Sequence, residues 1–446
     1  MLPENWNKMT ADQKLNARLT GWAGTEGKPF ATPEAANCYS ERAQRLIAAL
    51  KLQKLDRVPR VLLTGDYPGH YAGVSQGELF YDYDKMVFAL NKFHEDFDLD
   101  YSVICNAFPG KVYDRLGYKL YRLPGNQLSA TQSFQFVEGE YMRADEYDAL
   151  IANPEGWLMR TYNPRVLPSL AGLSLMPGML GTTEIPFVPF MMVNFSIPPL
   201  QEALKAMSDA AMLTLEWLGA NGQAGAVSMG KLGLPATIGG FSKAPFDFLG
   251  DSLRGTRGIM MDLFRYPNKV LAAVERLVPL AIDMGVGAAT GSGNPFVLIP
   301  LHKGADGFMS TADFEKFYWP SFKQVLLGLI NEGVVPFMFV EGSYNHRLDV
   351  IANSGLPAGK TMWLFDQTDM AEAKKKFGSW ACIGGNVPAS LFKAGTPAQM
   401  EAYVKKVIDT CAPDGGYFIC PGAVLDQAQD ENVCTYLKVA KEYGKS

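Results

Sequence analysis

The sequence lacks most of the short signatures that identify a common chemistry. No GxGxxG motif follows an apolar strand and no P-loop is present, so nothing supports nucleotide binding. The one GxSxG match, GVSQG at residues 73–77, does not directly follow a predicted strand, so it does not indicate a serine hydrolase of the nucleophile-elbow type. Compact metal signatures such as CxxC and HExxH are missing too. An active site must therefore be assembled from residues that lie far apart in the chain.

The sequence also lacks an excess of positive charge and long apolar runs. The net charge is −5, which gives no electrostatic footprint for nucleic acid, and no cluster of lysine and arginine suggests an anionic membrane surface. No apolar run reaches the ~20 residues that a membrane span needs. The polar start MLPENWNKMTADQK does not resemble a signal peptide, and the six cysteines are scattered. We therefore expect a cytoplasmic protein with reduced thiols that binds neither nucleic acid nor a membrane.

What the sequence does contain is an alternation of short apolar strands and helices. Continuous apolar strands alternating with helices indicate a parallel sheet that is covered on both faces. Seven or eight strands are predicted, so a single α/β chain forming a (β/α)8 TIM barrel is the preferred fold, with an open doubly wound sheet as the alternative. The clearest strands are RVLLTGDY, DLDYSVICNAF, NPFVLIPLHKG, VVPFMFVEG, KTMWLFDQTD, WACIGGNVP and GGYFICPG.

Two regions fall outside this alternation. Residues 1–55 are predicted to form an N-terminal helical extension, because Thr32-Pro33-Glu34 resembles a helix start before apolar residues at helical spacing. The barrel then covers residues 56–446, with an insert around residues 110–200 that is rich in proline, methionine and phenylalanine.

Active-site groups of such a barrel lie at the carboxyl ends of the strands. Three late strands end in an imidazole, a carboxylate and a thiol, those of His302, Glu341 and Cys420. This trio could hold a zinc ion with one position left open, as in a catalytic zinc site. Glu341, Asp366 and Tyr344 are the candidate catalytic residues, and Tyr67 is a candidate substrate contact.

Each of these residues has a structural alternative. Cys420 could be a small buried hydrophobe, and Glu341 could be a general base or an ion-pair partner of Arg347. His346 is the alternative imidazole ligand. The other histidines, His70 and His94, are interpreted as surface or loop residues. Asn386 is expected to brace a strand-end turn.

The chain resembles the uroporphyrinogen decarboxylase superfamily of (β/α)8 barrels, over roughly residues 55–440 and most strongly beyond 240. The residues that carry the resemblance are LRGTRGIMMDLFRYPNKVLAAVERLVP, STADFEKFYWPSFKQVL, GGNVPASLFKAGTPAQMEAYVKKVID and PGAVLDQAQDENV. Porphyrinogen decarboxylases of that superfamily carry an arginine-rich RQAGR-like stretch after the first strand, where this chain has LLTGDYPGHYAG. The substrate-carboxylate clamp is therefore missing.

The second kind of member, zinc- and corrinoid-dependent methyltransferases of anaerobic one-carbon metabolism, is the closer resemblance. Members acting on coenzyme M show His-x-Cys where this chain has Phe339-Val340-Glu341, and a last-strand cysteine that Cys420 matches. LHKGADGFMS and FVEGSYNHRLD resemble the branch that demethylates aromatic methyl ethers as the first methyltransferase of an O-demethylase. The resemblance implies zinc, and a corrinoid (cobalamin) carried by a partner protein.

The ligand chemistry agrees with that branch. Loss of a methyl group from an ether requires stabilisation of the departing oxygen, which zinc provides as a Lewis acid. One thiolate with Glu341 and His302 leaves the ion more electrophilic than two thiolates would. Phe190, Met192 and Phe195 of the insert are the predicted apolar wall for the methoxylated ring.

The expected partners are a corrinoid protein and a small-molecule methyl donor, and a homodimer is compatible with the sequence. Three other functions stay open: a cofactor-free decarboxylase or lyase using Asp66 or Glu341, a methylcorrinoid:thiol methyltransferase, and a non-catalytic corrinoid-binding protein.

Overall fold

The computed structural model describes residues 3–445 and is built around a parallel sheet of six strands. These six strands follow one another across the sheet in sequence order. The first two strands form a separate antiparallel pair. The strands are β1 Tyr121–Arg122, β2 Gln135–Phe136, β3 Gly240–Phe241, β4 Phe296–Leu301, β5 Val335–Val340, β6 Met362–Phe365, β7 Cys382–Gly384 and β8 Tyr417–Phe418.

A further extended segment, residues 58–64, lies beside β8. The N–H of Val61 donates to Ile419 O at 2.9 Å, and the N–H of Ile419 donates to Pro59 O at 2.9 Å. The pairing is parallel at Arg60 as well as at the end of the segment. The sheet therefore continues past its last strand into the first apolar segment of the chain.

Residues 101–106 close the remaining gap. The N–H of Asn106 donates to Gly65 O at 3.0 Å, which joins this segment to the first one. The N–H of Ser102 donates to Pro235 O at 3.0 Å, which joins it to the chain leading into β3. Eight segments thus surround one axis, and the predicted (β/α)8 barrel is confirmed. The sequence-order arrangement and helical connections are those of this fold.

Alternation along the strands separates an interior from an exterior layer. In β5, Phe337 and Phe339 join the cluster inside the barrel, whereas Met338 and Val340 join the cluster between strands and helices. All six residues of β5 are buried. Strands that are buried on both faces carry continuous apolar runs, which is why VVPFMFV shows no polar alternation.

Helices cover the outside of the barrel, and two N-terminal helices pack against one end of it. The ring of Trp22 meets Phe296 edge-on at 4.9 Å, so the first helix lies under the start of β4. The predicted start of the second helix is confirmed, because the Thr32 hydroxyl accepts the N–H of Ala35. The helices are α1 Ala11–Ala23, α2 Pro33–Leu50, α3 Tyr67–Ala72, α4 Gln76–Tyr81, α5 Tyr83–Asp96, α6 Gly110–Leu116, α7 Tyr147–Ala152, α8 Pro154–Trp157, α9 Asn163–Val166, α10 Val188–Met192, α11 Pro198–Gly225, α12 Pro245–Asp247, α13 Gly255–Arg265, α14 Pro267–Ser292, α15 Thr311–Asp313, α16 Trp319–Asn331, α17 Leu348–Ala352, α18 Met370–Phe377, α19 Ala389–Ala394, α20 Pro397–Cys411 and α21 Asp430–Tyr443.

The proline-rich insert lies between residue 106 and α11. It contains the β1–β2 pair, in which Tyr121 lies opposite Phe136, and otherwise short helices and helical turns. Frequent prolines and glycines keep these helices short, because proline removes an N–H donor and ends a helix. Within residues 3–445, no helix combines the length and apolar character needed to cross a membrane.

Candidate active site

The carboxyl ends of the late strands bring residues distant in sequence to one level of the barrel. Pairing sets Pro300 beside Phe339, which lies beside Leu364. It continues through Gly384 to Phe418. Because side chains alternate between faces, the residues two positions further along share the next inward level. These residues are His302, Glu341, Asp366, Asn386 and Cys420.

His302 is the best-positioned side chain of this level. Its Nδ1 donates to Asp251 Oδ2 at 2.6 Å, and its backbone N–H donates to Asp247 Oδ2 at 3.2 Å. The other ring nitrogen, Nε2, lies 3.6 Å from Glu341 Oε1. A carboxylate behind an imidazole fixes the ring and makes its free nitrogen a better ligand, as is usual for metal-binding histidines.

Charges around His302 favour its protonated form. Burial disfavours the imidazolium, but Asp251 and Glu341 outweigh burial and raise the pKa of His302 to about 10. Burial likewise opposes the Asp251 carboxylate, but His302 and Lys243 outweigh it and lower the pKa of Asp251. Lys243 Nζ lies 2.6 Å from Asp251 Oδ2. The proton on Nε2 therefore sits between two groups that could instead share a cation.

Asp247 and Asp251 were missed by the sequence reasoning. Asp247 ends α12 and Asp251 lies in the π-helical turn Phe248–Leu253 that follows. Asp247 is fully buried, and its carboxylate accepts the Tyr318 hydroxyl at 2.8 Å and the Lys303 N–H at 2.9 Å. A usable signal was present in APFDFLGD: two acids four residues apart, just after the third barrel strand.

Asp366 and Asn386 complete the polar part of the level. Asp366 Oδ2 accepts the N–H of Gly342 at 3.0 Å, next to Glu341. Burial and the nearby Glu341 charge raise the pKa of Asp366. Asn386 Nδ2 donates to the carbonyl oxygens of Asp366 at 2.8 Å and Thr368 at 3.0 Å. The predicted bracing role of Asn386 is therefore confirmed.

Cys420 shares the level by register but has apolar surroundings. It is fully buried in the interior cluster that also contains Phe339 and Phe418, and burial raises the pKa of its thiol. Across residues 3–445, no three histidine, cysteine, aspartate or glutamate side chains come close enough to hold a metal ion. The pair of His302 and Glu341 fits two positions of a zinc site, and the place of Cys420 in the ligand set stays a prediction.

Tyr344 lies fully buried beneath this rim. Its ring meets Phe314 edge-on at 6.4 Å, and its hydroxyl has no hydrogen-bond partner in the described part of the chain. Gly304 makes room for it, since a Cβ there would lie 2.6 Å from the Tyr344 hydroxyl oxygen. The catalytic role of Tyr344 stays a prediction; its ring is fully buried, whereas the carboxylates of Glu341 and Asp366 are half-buried.

In the loop after β5, the sequence offered Arg347 as an ion-pair partner of Glu341 and His346 as an alternative metal ligand. Asp306 contacts both residues. Arg347 is fully buried, its Nε lies 3.6 Å from Asp306 Oδ1, and it donates to Gly304 O, so it does not pair with Glu341. His346 is exposed and its backbone N–H donates to Asp306 Oδ2 at 3.2 Å. The geometry therefore favours His302 over His346 as the imidazole beside Glu341.

The early strands present a different polar group. Asp66 is buried, its Oδ1 accepts Asn106 Nδ2 at 2.9 Å, and its N–H donates to Asp426 Oδ1 at 3.1 Å. Burial, together with the Asp426 charge, raises the pKa of Asp66. Gly65 permits this close approach, because a Cβ there would lie 2.1 Å from the Asp426 carboxylate. We call Asp66, Asn106 and Asp426 the early rim.

Tyr67 follows the early rim but packs among helices. Its hydroxyl donates to Asp430 Oδ1 at 2.6 Å, and its ring meets Phe93 edge-on at 5.4 Å. Only 2% of Tyr67 is exposed, and it belongs to the cluster outside the barrel. The structure does not bring it to His302 and Glu341, so its substrate role stays a prediction.

The interpretation of His94 as a surface residue was wrong. His94 is 4% exposed, its Nδ1 donates to Leu90 O at 2.7 Å, and its Nε2 accepts the N–H of Val103 at 3.0 Å. Burial lowers the pKa of His94 to about 4. The neighbouring Glu95 and Asp96 suggested an exposed face, but His94 lies on the opposite side of α5, against residues 101–106.

The predicted apolar wall of the insert is largely exposed. Phe190 is 77% and Met192 49% exposed, and Phe195 packs on the small cluster around α11. A different part of the insert, together with Phe80 of α4, lines a cavity of about 470 Å³ that none of these three residues lines. We call it the insert cavity; its aromatic lining residues are Phe80, Phe108, Tyr113, Tyr118, Tyr121, Phe134 and Tyr162.

Comparison with known proteins adds three matches. A family model described as Uroporphyrinogen decarboxylase (URO-D) matches residues 193–443. A curated uroporphyrinogen decarboxylase of Geotalea daltonii is 30% identical over 127 residues, 28% of this chain and 36% of that protein, so the match spans about a third of the relative. A solved structure of a methyltransferase from Methanosarcina mazei has a TM-score of 0.59 at 16% identity, covering 91% of this chain and 98% of the other. The last similarity shows a shared fold.

Proposed function

Given that this chain belongs to the uroporphyrinogen decarboxylase family, we propose that it transfers a methyl group from a methoxylated aromatic compound to the Co(I) of a corrinoid carried by a partner protein. The observation that carries the proposal is the pair of His302 and Glu341 at the barrel mouth, with Asp251 behind the imidazole. The fold shared with the Methanosarcina mazei methyltransferase supports the reaction class.

The proposed reaction transfers the methyl group formally as CH₃⁺, converts Co(I) to methyl-Co(III) and takes up one proton. The methyl carbon leaves the ether oxygen and accepts the electron pair of Co(I). Both electrons of the C–O bond stay on the oxygen, which then takes up a proton to become a hydroxyl. The oxygen is a poor leaving group without help, so charge stabilisation at this atom decides the rate.

His302, Glu341 and Cys420 are the residues that would hold zinc, which when bound supplies a Lewis acid for the ether oxygen. Asp251 fixes the imidazole so that Nε2 points toward Glu341. Asp366 has a raised pKa beside Glu341, and its Oδ2 is occupied by the Gly342 N–H. Its Oδ1 is therefore the atom that would hold a proton for the departing oxygen.

Uroporphyrinogen decarboxylation is the second candidate, because the curated relative carries that name. Its substrate is a polycarboxylate, which requires cationic side chains at the mouth. The early rim offers Asp66 and Asp426 instead, and the raised pKa of Asp66 reflects a site that already disfavours negative charge. The charge at this rim therefore favours a neutral methyl donor.

The direct test uses purified protein, cob(I)alamin as the methyl acceptor and a panel of methoxybenzenes and methoxyphenols, with the cobalt absorption spectrum as readout. We expect methylation of cobalt with at least one ether. His302→Ala and Glu341→Ala should each lower the rate by more than about 100-fold, because loss of a direct ligand costs more than the 10–100-fold typical of its supporting residues. His346→Ala, an exposed matched histidine, should retain the wild-type rate.

Metal analysis of the same preparations tests the ligand set. We expect about one zinc per chain, lost together with activity in Cys420→Ala. Full activity in metal-free protein would contradict the zinc proposal, and the absence of cobalt methylation with every ether would contradict the methyl donor class. Release of CO₂ from a porphyrinogen would instead identify the decarboxylase.

A further inference from the structure

The insert cavity is an aromatic chamber without charge. Seven of its thirteen lining residues are phenylalanine or tyrosine, and none is lysine, arginine, aspartate or glutamate. Its volume of about 470 Å³ lies in the range of small-molecule sites. A chamber of this composition gains little from binding a polyanion, because an ion would lose its hydration without gaining a partner.

The rings of the chamber support one another. Phe108 meets Phe134 edge-on at 5.5 Å, and Tyr121 meets Phe134 edge-on at 5.6 Å. Tyr113 and Tyr118 are stacked at 5.5 Å. Edge-to-face contacts of this kind hold ring orientations, so the wall presents fixed aromatic surfaces to a ligand.

The polar groups of the chamber are the phenol hydroxyls and the carboxamide of Asn163. Within residues 3–445, no protein hydrogen bond involves the hydroxyls of Tyr113, Tyr118 or Tyr121. Burial raises the pKa of each of these phenols, so each keeps its proton. The Tyr162 hydroxyl, in contrast, donates to Ser252 O at 3.0 Å. Three O–H donors therefore remain for oxygen atoms of a ligand.

The chamber adjoins the barrel mouth through two sets of contacts. Ser252, which accepts the Tyr162 hydroxyl, is the neighbour in sequence of Asp251, whose carboxylate holds His302. In the second, Lys303 Nζ donates to Thr256 Oγ1 at 2.7 Å. The N–H of Thr256 in turn donates to the carboxylate of Glu138, two residues beyond β2. The segment from Asp251 to Thr256 therefore connects the chamber wall to the residues that hold His302.

We propose that the insert cavity is the binding chamber for the aromatic ring of the methyl donor, and that it selects an uncharged, oxygen-substituted ring through the hydroxyls of Tyr118 and Tyr121. This inference rests on the proposed function, since it assigns the substrate of the same site. It replaces the exposed residues of α10 as the apolar wall. Tyrosine faces can also hold a quaternary ammonium group, so such a cation is included in the test.

The test is binding of 2-methoxyphenol to the full chain by isothermal titration calorimetry, without cobalamin, with choline and 2-methoxyphenol compared at equal concentration. Leu116→Trp, which adds a ring at the cavity wall, should weaken 2-methoxyphenol binding by at least tenfold, whereas Leu116→Met should retain it. Tyr118→Phe and Tyr121→Phe keep the rings but remove a hydroxyl, and each should weaken binding about three- to tenfold, as expected for one hydrogen bond. Phe190→Ala should bind as wild type does.

The outcomes separate the chamber from the proposed reaction. Wild-type binding that is unaffected by Leu116→Trp, in a variant with an unchanged melting temperature, would overturn the chamber assignment while leaving methyl transfer intact. Preference for choline, with the same loss in Leu116→Trp, would keep the chamber but overturn the ring as ligand. Loss of binding in Phe190→Ala instead of the tyrosine variants would return the substrate wall to α10. If Leu116→Trp, Tyr118→Phe and Tyr121→Phe all bind 2-methoxyphenol as the wild type does and cobalt is still methylated, the chamber assignment would also be contradicted.

Discussion

The late half of the barrel, from β4 to β8, and the early half, from residue 58 to β3, differ in the length and pairing of their strands. In the late half, β4 and β5 are six residues long and pair over their whole length. In the early half, β3 has two residues and the two preceding segments are held by single bridges and a few backbone hydrogen bonds. The early half carries the insert instead.

This difference gives the two halves different tasks in the proposed function: the late half positions the candidate catalytic residues, and the early half selects the ligand. Long paired strands fix the register, so His302 and Glu341 arrive at one level although they are 39 positions apart along the chain (341 − 302). The early half contributes two of the three early-rim residues and an aromatic chamber built from short helices and the β1–β2 pair, apart from the barrel sheet. Barrels commonly keep the scaffold constant and vary the loops at this face, because chemistry and specificity are carried by different segments.

Truncation of one phenylalanine in each half is the most direct test of whether the barrel is more tightly packed than the insert. Phe337 is 2% exposed inside the barrel and meets Phe418 at 5.5 Å, whereas Phe190 of the insert is 77% exposed. Phe337→Ala should lower the free energy of unfolding by about 3–5 kcal/mol, and Phe190→Ala by less than about 0.5 kcal/mol. Urea unfolding followed by circular dichroism measures both. A similar loss in the two variants would mean that the insert is as tightly packed as the barrel.

The late half could be predicted from the sequence to a large extent. Continuous apolar runs such as VVPFMFV identify buried parallel strands, and each run ends at a glycine or polar residue that marks the mouth. His302 and Glu341 were found by this reasoning. Asp251 was not, because it lies in a helical turn after a two-residue strand, where no apolar run indicates that a strand end is near.

The insert could be predicted only as a departure from the pattern. Its phenylalanines and methionines identify an apolar segment, but which of them point inward depends on tertiary contacts between short helices. The sequence therefore selected Phe190, which is exposed, and missed Tyr121, which lines the cavity. Periodicity orients side chains over long elements, and helices of four to seven residues are too short to show it.

The two rims offer a sharper comparison through matched substitutions. Asp251→Asn keeps the size of the side chain but removes the charge that orients His302, and should lower cobalt methylation by about 10–100-fold. Asp66→Asn makes the same change at the early rim and should lower it by less than about threefold, because Asn106 and Asp426 remain to hold the loop. The rates of both variants with one ether at saturation measure the difference.

An abolished rate in Asp66→Asn together with an unaffected rate in Asp251→Asn would reverse the assignment. It would favour the decarboxylase or lyase alternative, in which Asp66 is the acid or base. The raised pKa of Asp66 suits such a role, so this result would contradict the proposed function.

The smallest expected effect concerns how the early half is held together. His94 is neutral when buried, with its pKa lowered from 6.5 to about 4, and its Nε2 accepts the N–H of Val103 in the segment 101–106. Because the folded state disfavours the proton, this stability is complete above pH 6.5 and is lost as the pH falls toward 4. Between pH 7 and pH 5 the loss should be about 2 kcal/mol. His94→Gln should remove that part of the pH dependence of the urea midpoint, whereas His70→Gln, at an exposed histidine, should keep it. Amide exchange at Val103 should accelerate over the same pH range, while amides of β5 stay protected; equal acceleration in both would mean that the two halves open together rather than separately.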